Sequence, residues 1–209
     1  MGKGRASGHE LWQFLPMVKT PTPARWDSID RRGFLRGLGF AAVGLGACRA
    51  ALAGSAERRL LSFVHTHTGE RLTTVYFEGG NYVTGALRQV NELLRDFRTE
   101  TVYPIDPGVL DRLFDLQAAT GGSEAFQVIC GYRSPTTNEA LRKASGGVAE
   151  HSLHLEGRAI DVRLPGIATS SLARMARQQA RGGVGYYQVS DFVHMDTGRV
   201  RIWGDPIRA

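Results

Sequence analysis

Cysteine is scarce in this chain: two residues in 209, Cys48 and Cys130. Two thiols cannot furnish the four ligands of a closed Cys₄ zinc site. If the chain is cut after Ala53, Cys130 is left with no intrachain disulfide partner. Long apolar runs are scarce as well. The glycine-rich run from Gly37 to Ala47 falls short of the about 20 residues a permanent membrane helix needs. The body of the chain has no basic stripe. The net charge is +6, yet residues 1–53 hold 8 Lys+Arg against 3 acids and residues 54–209 hold 18 against 17. A near-neutral body has nothing with which to follow a phosphate backbone, so nucleic acid is excluded as a partner. Internal repeats and low-complexity linkers are absent from residues 58–209. Gly182-Gly-Val-Gly-Tyr-Tyr187 lacks the G-x-G-x-x-G spacing and the strand-to-helix context of a dinucleotide loop.

The basic leader is informative. Asp30-Arg31-Arg32-Gly33-Phe34-Leu35-Arg36 is a twin-arginine motif, the apolar run follows it, and Ala51-Leu52-Ala53 is a small-x-small cleavage pattern. Residues 1–53 are therefore expected to be an export signal, with the twin-arginine translocase as a transient partner and the periplasm as destination. Leu45-Gly-Ala-Cys48 also has the form of a lipobox. Acylation at Cys48 would make the product membrane-anchored, and the sequence leaves that alternative open.

Residues 58–209 carry the pattern of one α+β domain. Leu60–Val64 and Arg71–Phe77 flank Thr68-Gly69-Glu70 as a hairpin, with His65 and His67 expected to be exposed at its tip. Thr84 is placed as the N-cap of a helix running to about Arg98. A second helix is expected over 107–119, a third over 136–144, and a fourth capped by Thr169 or Ser170 and running to about Ala180. Phe126–Gly131 is a short apolar strand in which Cys130 is expected to be buried. The architecture expected is a small antiparallel sheet of about five strands with helices packed to one side.

Two stretches carry the chemistry. Ser152-Leu-His154-Leu-Glu-Gly157-Arg-Ala-Ile-Asp161 offers an imidazole and a carboxylate seven residues apart, and Asp191-Phe-Val-His194-Met-Asp196 offers a second imidazole between two carboxylates. Two His and one Asp form a metal set of the catalytic kind, because three protein ligands leave the fourth tetrahedral position of Zn²⁺ open. A spacing of seven broken by glycine does not suit one helix face, where ligands lie three or four apart. It suits a loop entering a strand: Ala159, Asp161 and Arg163 alternate with Ile160, Val162 and Leu164, and His194 and Asp196 alternate with Val193 and Met195. Neighbouring strands could then bring Asp161 and His194 together, with His154 folding over from the loop. His151, three residues before His154, is disfavoured as a ligand because Gly157 argues against a helix there.

Ser152-x-His154-x-x-Gly157-x-Ala159-x-Asp161 with Asp191-x-x-His194 resembles the LAS metallopeptidases, the group of lysostaphin-like enzymes, D-Ala-D-Ala metallopeptidases and the hedgehog signalling domain. Gly131-Tyr-Arg-Ser134 and Gly182–Tyr187 fit the same group, and the YcbK-like branch of exported murein endopeptidases is similar from about residue 58 onward. The resemblance implies zinc held by His154, Asp161 and His194, Asp191 as general base, and Arg133 as a substrate or oxyanion contact. It also implies the hedgehog-like α+β fold and hydrolysis of peptidoglycan peptide cross-links. Asp196 is the alternative base or a partner that orients His194, Ser152 stands beside the first ligand, and Tyr186 and Tyr187 are candidates to line the cleft. Several relatives carry a His where this chain has Phe192. A murein D,D- or L,D-carboxypeptidase and a non-catalytic zinc-bearing murein-binding module remain as alternatives. The glycines at 182–185 favour an endopeptidase if they open a groove for two peptide strands.

Overall fold

A computed structural model describes residues 57–145 and 148–207. Residues 1–53, expected to be an export signal and including Cys48, and Gly146-Gly147 lie outside the described residues. Eight strands and four α-helices follow in order: β1 (Arg58–His65), β2 (Arg71–Glu78), β3 (Asn81–Tyr82), α1 (Thr84–Leu93), α2 (Pro107–Thr120), β4 (Phe126–Cys130) and α3 (Pro135–Ser145). After a 3₁₀ turn (Leu153–Glu156) come β5 (Ala159–Arg163), α4 (Thr169–Gln178), β6 (Gly183–Tyr187), β7 (Phe192–Asp196) and β8 (Arg201–Gly204). None of these helices is long and apolar enough to cross a membrane.

The α+β class is as expected, and the sheet is larger and mixed. Its order is β3-β2-β1-β4-β5-β7-β6-β8. Most neighbours are antiparallel, but β1 with β4 and β6 with β8 are parallel. Parallel neighbours need a long crossover. The β1-to-β4 connection supplies it through β2, β3, α1 and α2, and β8 returns to β6 after β7 has intervened.

The core follows the two periodicities. On β5, Ile160 and Val162 join the apolar cluster; on β7, Val193 and Met195; on β6, Val184 and Tyr186. Leu110, Leu113 and Leu116 of α2 and Leu172, Ala173 and Ala176 of α4 belong to the same cluster. The opposite faces of β5, β6 and β7 are thereby left to the chemistry.

Two helix ends differ from expectation. α1 stops at Leu93, and Phe97 and Arg98 lie in the turn beyond it. Neither α1 nor α4 has a side-chain N-cap: Val83 and Ala168 hold those positions, and the Thr169 hydroxyl donates instead to Asp191. α2 and α3 are capped as propensity suggests, with Asp106 accepting from Gly108 N and Ser134 Oγ from Thr137 N.

Candidate metal centre and active site

Register builds the site. Across five strands Cys130 pairs with Asp161, Asp161 with His194, His194 with Gly185, and Gly185 with Trp203. These residues form one row across the sheet. A bulge between Val128 and Cys130 brings Cys130 into it. His154 reaches the same point from the 3₁₀ turn, whose N-cap Ser152 accepts from His154 N. Gly157 ends that turn at φ +65°, where a side chain would overlap Pro104 O. Only glycine serves there.

Each imidazole has one nitrogen committed outward. His154 Nδ1–H donates to Gly131 O at 2.7 Å, and His194 Nε2–H donates to Asp196 Oδ2 at 3.2 Å. Carbonyl and carboxylate oxygens only accept, so both protons are placed by their partners. In neutral rings His154 Nε2 and His194 Nδ1 are then bare lone pairs. They lie 3.1 Å apart, and both face Asp161 Oδ1, at 3.3 and 2.8 Å. All three residues are buried, with exposures of 2, 8 and 6 % for His154, His194 and Asp161. Three acceptors meeting away from water need a cation between them, and two imidazoles with one carboxylate are a zinc donor set. The residues therefore fit the metal.

The metal-free electrostatics agree. Burial works against a charged His154, yet the Asp161 carboxylate and the nearby Cys130 raise its pKa to about 10. Burial likewise disfavours a charged Asp161, and the two imidazoles outweigh it and hold that carboxyl well below the usual range. A proton takes the cation's place when no metal is bound.

The surrounding residues divide plainly. Asp196 is fully buried and accepts from Gly183 N, Gly198 N and Arg201 Nη2 as well as from His194. It orients His194 and is not free to act as the base. Arg133 is inside the cleft, 4.0 Å from Asp161 Oδ2, with its backbone N–H donating to His154 O. Its Nη1 reaches Asn138 Oδ1 at 3.3 Å, and its buried Nε has no partner. Tyr187 lines the cleft, its hydroxyl accepting from Trp203 Nε1 at 2.9 Å.

Other expected residues lie elsewhere. Asp191 occupies the turn before β7 at φ +51°. Its carboxylate instead accepts from Thr169 Oγ1 at 2.8 Å and pairs with Arg163 at 3.3 Å, beside a separate hollow lined by Gln127 and Arg163. The structure does not bring it to the cluster. Tyr186 is in the core, because alternation along β6 turns it away from Tyr187. The glycines of β6 open no groove: Trp203 packs over Gly185, where a Cβ would stand 2.6 Å from its Cε2, and a Cβ on Gly183 would overlap Asp196 Oδ2.

Three residues gain a place that periodicity alone did not assign. Cys130 is half-buried, and its Sγ lies within 4.8 Å of donor atoms of His154 and Asp161. His151 lines the cleft. His67 also lines it from the hairpin, whereas His65, expected to be exposed, is buried.

The comparisons with known proteins bear on this geometry. Residues 53–203 match the profile of a family described as Peptidoglycan L,D-endopeptidase MepK. The chain belongs to this family. A MepK from Escherichia coli K12 is 43% identical over 145 residues, covering 69% of this chain and 80% of the relative. A protein of Haemophilus influenzae named Probable peptidoglycan L,D-endopeptidase MepK is 38% identical over 154 residues, 73% of this chain and 83% of the relative. The matched span contains the whole row from Cys130 to Trp203. The chain is accordingly a peptidase.

Proposed function

We propose that the protein is a zinc-dependent peptidoglycan endopeptidase that hydrolyses an L,D peptide bond in murein cross-links. The observation that carries the reading is the meeting of His154 Nε2, His194 Nδ1 and Asp161 Oδ1 as bare lone pairs in the buried wall of a cleft, in a chain of the MepK family. These three residues would hold the zinc. Bound there, zinc supplies Lewis acidity and activates water at neutral pH.

The chain's own groups do the rest. Gly131 O and Asp196 fix the two rings, so their lone pairs need no reorientation. Arg133 stands beside Asp161 and offers its unpartnered Nε–H and a guanidinium charge to the scissile carbonyl oxygen as negative charge develops. With Asp191 turned away and Asp196 pinned, His151 at the cleft is assigned the proton transfer from the attacking water to the leaving amine. His151→Ala is expected to keep its metal and lose at least about 100-fold in kcat. Asp191→Ala is expected to keep both, and the reverse pattern would restore Asp191 as base.

The domain boundary and location belong to the same reading. The family match begins at residue 53, where the twin-arginine leader ends in Ala51-Leu-Ala53. The twin-arginine motif and this small-x-small pattern carry the reading that a mature domain is exported to the periplasm.

Purified L,D- and D,D-cross-linked dimeric muropeptides test the activity. Conversion of the L,D dimer to monomers, abolished by chelator and restored by zinc, is the expected result. Release of terminal D-alanine alone would make the protein a carboxypeptidase. Metal-dependent retention without cleavage would make it a binding module.

A further inference from the structure

The cleft of about 810 Å³ does not end at the donor cluster. It extends to His67 on the β1–β2 hairpin and to Arg98 in the turn after α1, neither of which touches the three donors. Its charged lining is lopsided. Arg98, Arg133 and Arg201 contribute positive charge, and the one acid is Asp161, already committed to the donors. Arg201 is neutralised by Asp196 at 2.7 Å. Arg98 has no carboxylate partner among the described residues, whereas Arg95, three positions earlier, is bonded to both Glu70 and Glu100.

Arg98 is nonetheless positioned. Its guanidinium carbon lies 4.2 Å over the ring of Phe97. The imidazole of His67 stacks on the same ring at 4.3 Å and 13°. A ring has two faces, so the two groups take opposite sides. Behind them His65 meets Phe97 edge-on at 5.5 Å, and its Nδ1 accepts from the backbone N–H groups of His67 and Thr68. That tautomer leaves Nε2–H buried and without an acceptor. Burial, then the neighbouring His67, hold the His65 pKa below its ordinary value, so the ring is a neutral brace. Asp96 ties the turn to the reaction centre: its Oδ1 accepts from Arg98 N at 3.0 Å and its Oδ2 from Ser134 N at 2.8 Å. The buried carboxylate thus connects the loop bearing Arg98 to the one bearing Arg133.

A guanidinium held over an aromatic ring, unpaired and facing a cleft, forks readily onto a carboxylate. Peptidoglycan stem peptides carry free carboxylates on their glutamate and diaminopimelate residues. We propose that Arg98, held by Phe97 and flanked by His67, is a carboxylate subsite that binds a free carboxylate of the cross-linked peptide while the scissile bond lies at the donor cluster. The inference rests on the endopeptidase reading and adds to it a residue that selects anionic over amidated murein.

The test compares an L,D-cross-linked dimeric muropeptide with free carboxylates against the same dimer amidated at those carboxylates. The wild-type protein is expected to favour the free form by about tenfold, the effect falling on KM. Arg98→Ala is expected to lose that preference without losing metal, and Arg98→Lys to keep part of it. Binding of both dimers to metal-free protein, followed by calorimetry, gives the same comparison without turnover. If the wild type binds and cleaves the two forms equally, or if Arg98→Ala retains the full preference, the subsite is overturned. If metal-loaded wild type cleaves neither dimer, the endopeptidase reading falls, and the calorimetric comparison still decides the subsite by itself.

Discussion

Asp196 shows how much of the centre lies one bond away from the donors. It accepts from His194 Nε2, two backbone N–H groups and Arg201. Burial would raise its carboxyl, but the His194 bond and the two backbone donors hold it well below the usual range. Asp196→Asn keeps the shape and removes the charge that steadies the ring, and metal affinity is expected to fall about 10- to 100-fold, as read by competition with a chromophoric chelator. The metal-free cluster also predicts a pH dependence. His154 is raised from an ordinary 6.5 to about 10, so its contribution to apo stability is fully present below 6.5 and is lost as pH rises through about 10. The Tm of chelator-treated protein should fall over that interval. For the same reason metal must displace a proton, and metal affinity should weaken as pH falls. Retention of an unchanged apo Tm from pH 6 to about 10 would remove His154 as the site of that proton.

At the scale of elements, alternation carried most of what was legible. Asp161 and His194 share a face because every second residue of β5 and β7 is apolar and buried, and the two prove to be register partners. The same period assigns Tyr186 to the core once Val184 is recognised as its neighbour on that face. What stayed hidden was set by distant partners. The direction of Asp191 depends on Thr169 and Arg163, and neither is close in sequence. The parallel pairings of β1 with β4 and β6 with β8 depend on crossovers that local pattern does not encode. The glycines of β6 were legible as sites of close approach, but not that Trp203 makes it. Gly185→Ala would place a methyl 2.6 Å from the Trp203 ring, and since that ring lies 5.1 Å from His194, strain there passes to a donor. A loss of about 1–3 kcal/mol in stability is expected, with a lowered metal affinity measured on the folded variant. Full metal affinity in that variant would show that Trp203 can move without disturbing His194.

On the scale of the whole chain, charge and chemistry separate by position. Residues 1–53 hold nearly all the net positive charge, while the span from residue 54 is close to neutral, and every residue of the candidate centre falls within 53–203, where the family match lies. A centre assembled from β4, β5, β7 and a 3₁₀ turn exists only in the folded chain, so a metal held there would be bound with folding or after it. A twin-arginine leader is consistent with such a product, because that route carries folded cargo. Replacing Arg31 and Arg32 by lysine should therefore leave a folded, metal-binding protein in the cytoplasm and deplete the periplasm, as followed by fractionation and metal analysis of each pool. Cys48→Ser separates the two endings of the leader: unchanged release of soluble protein fits cleavage after Ala53, whereas loss of membrane-bound material would identify Cys48 as the anchored residue. Undiminished periplasmic protein in the double-lysine variant would exclude the twin-arginine route and, with it, loading of the metal before export.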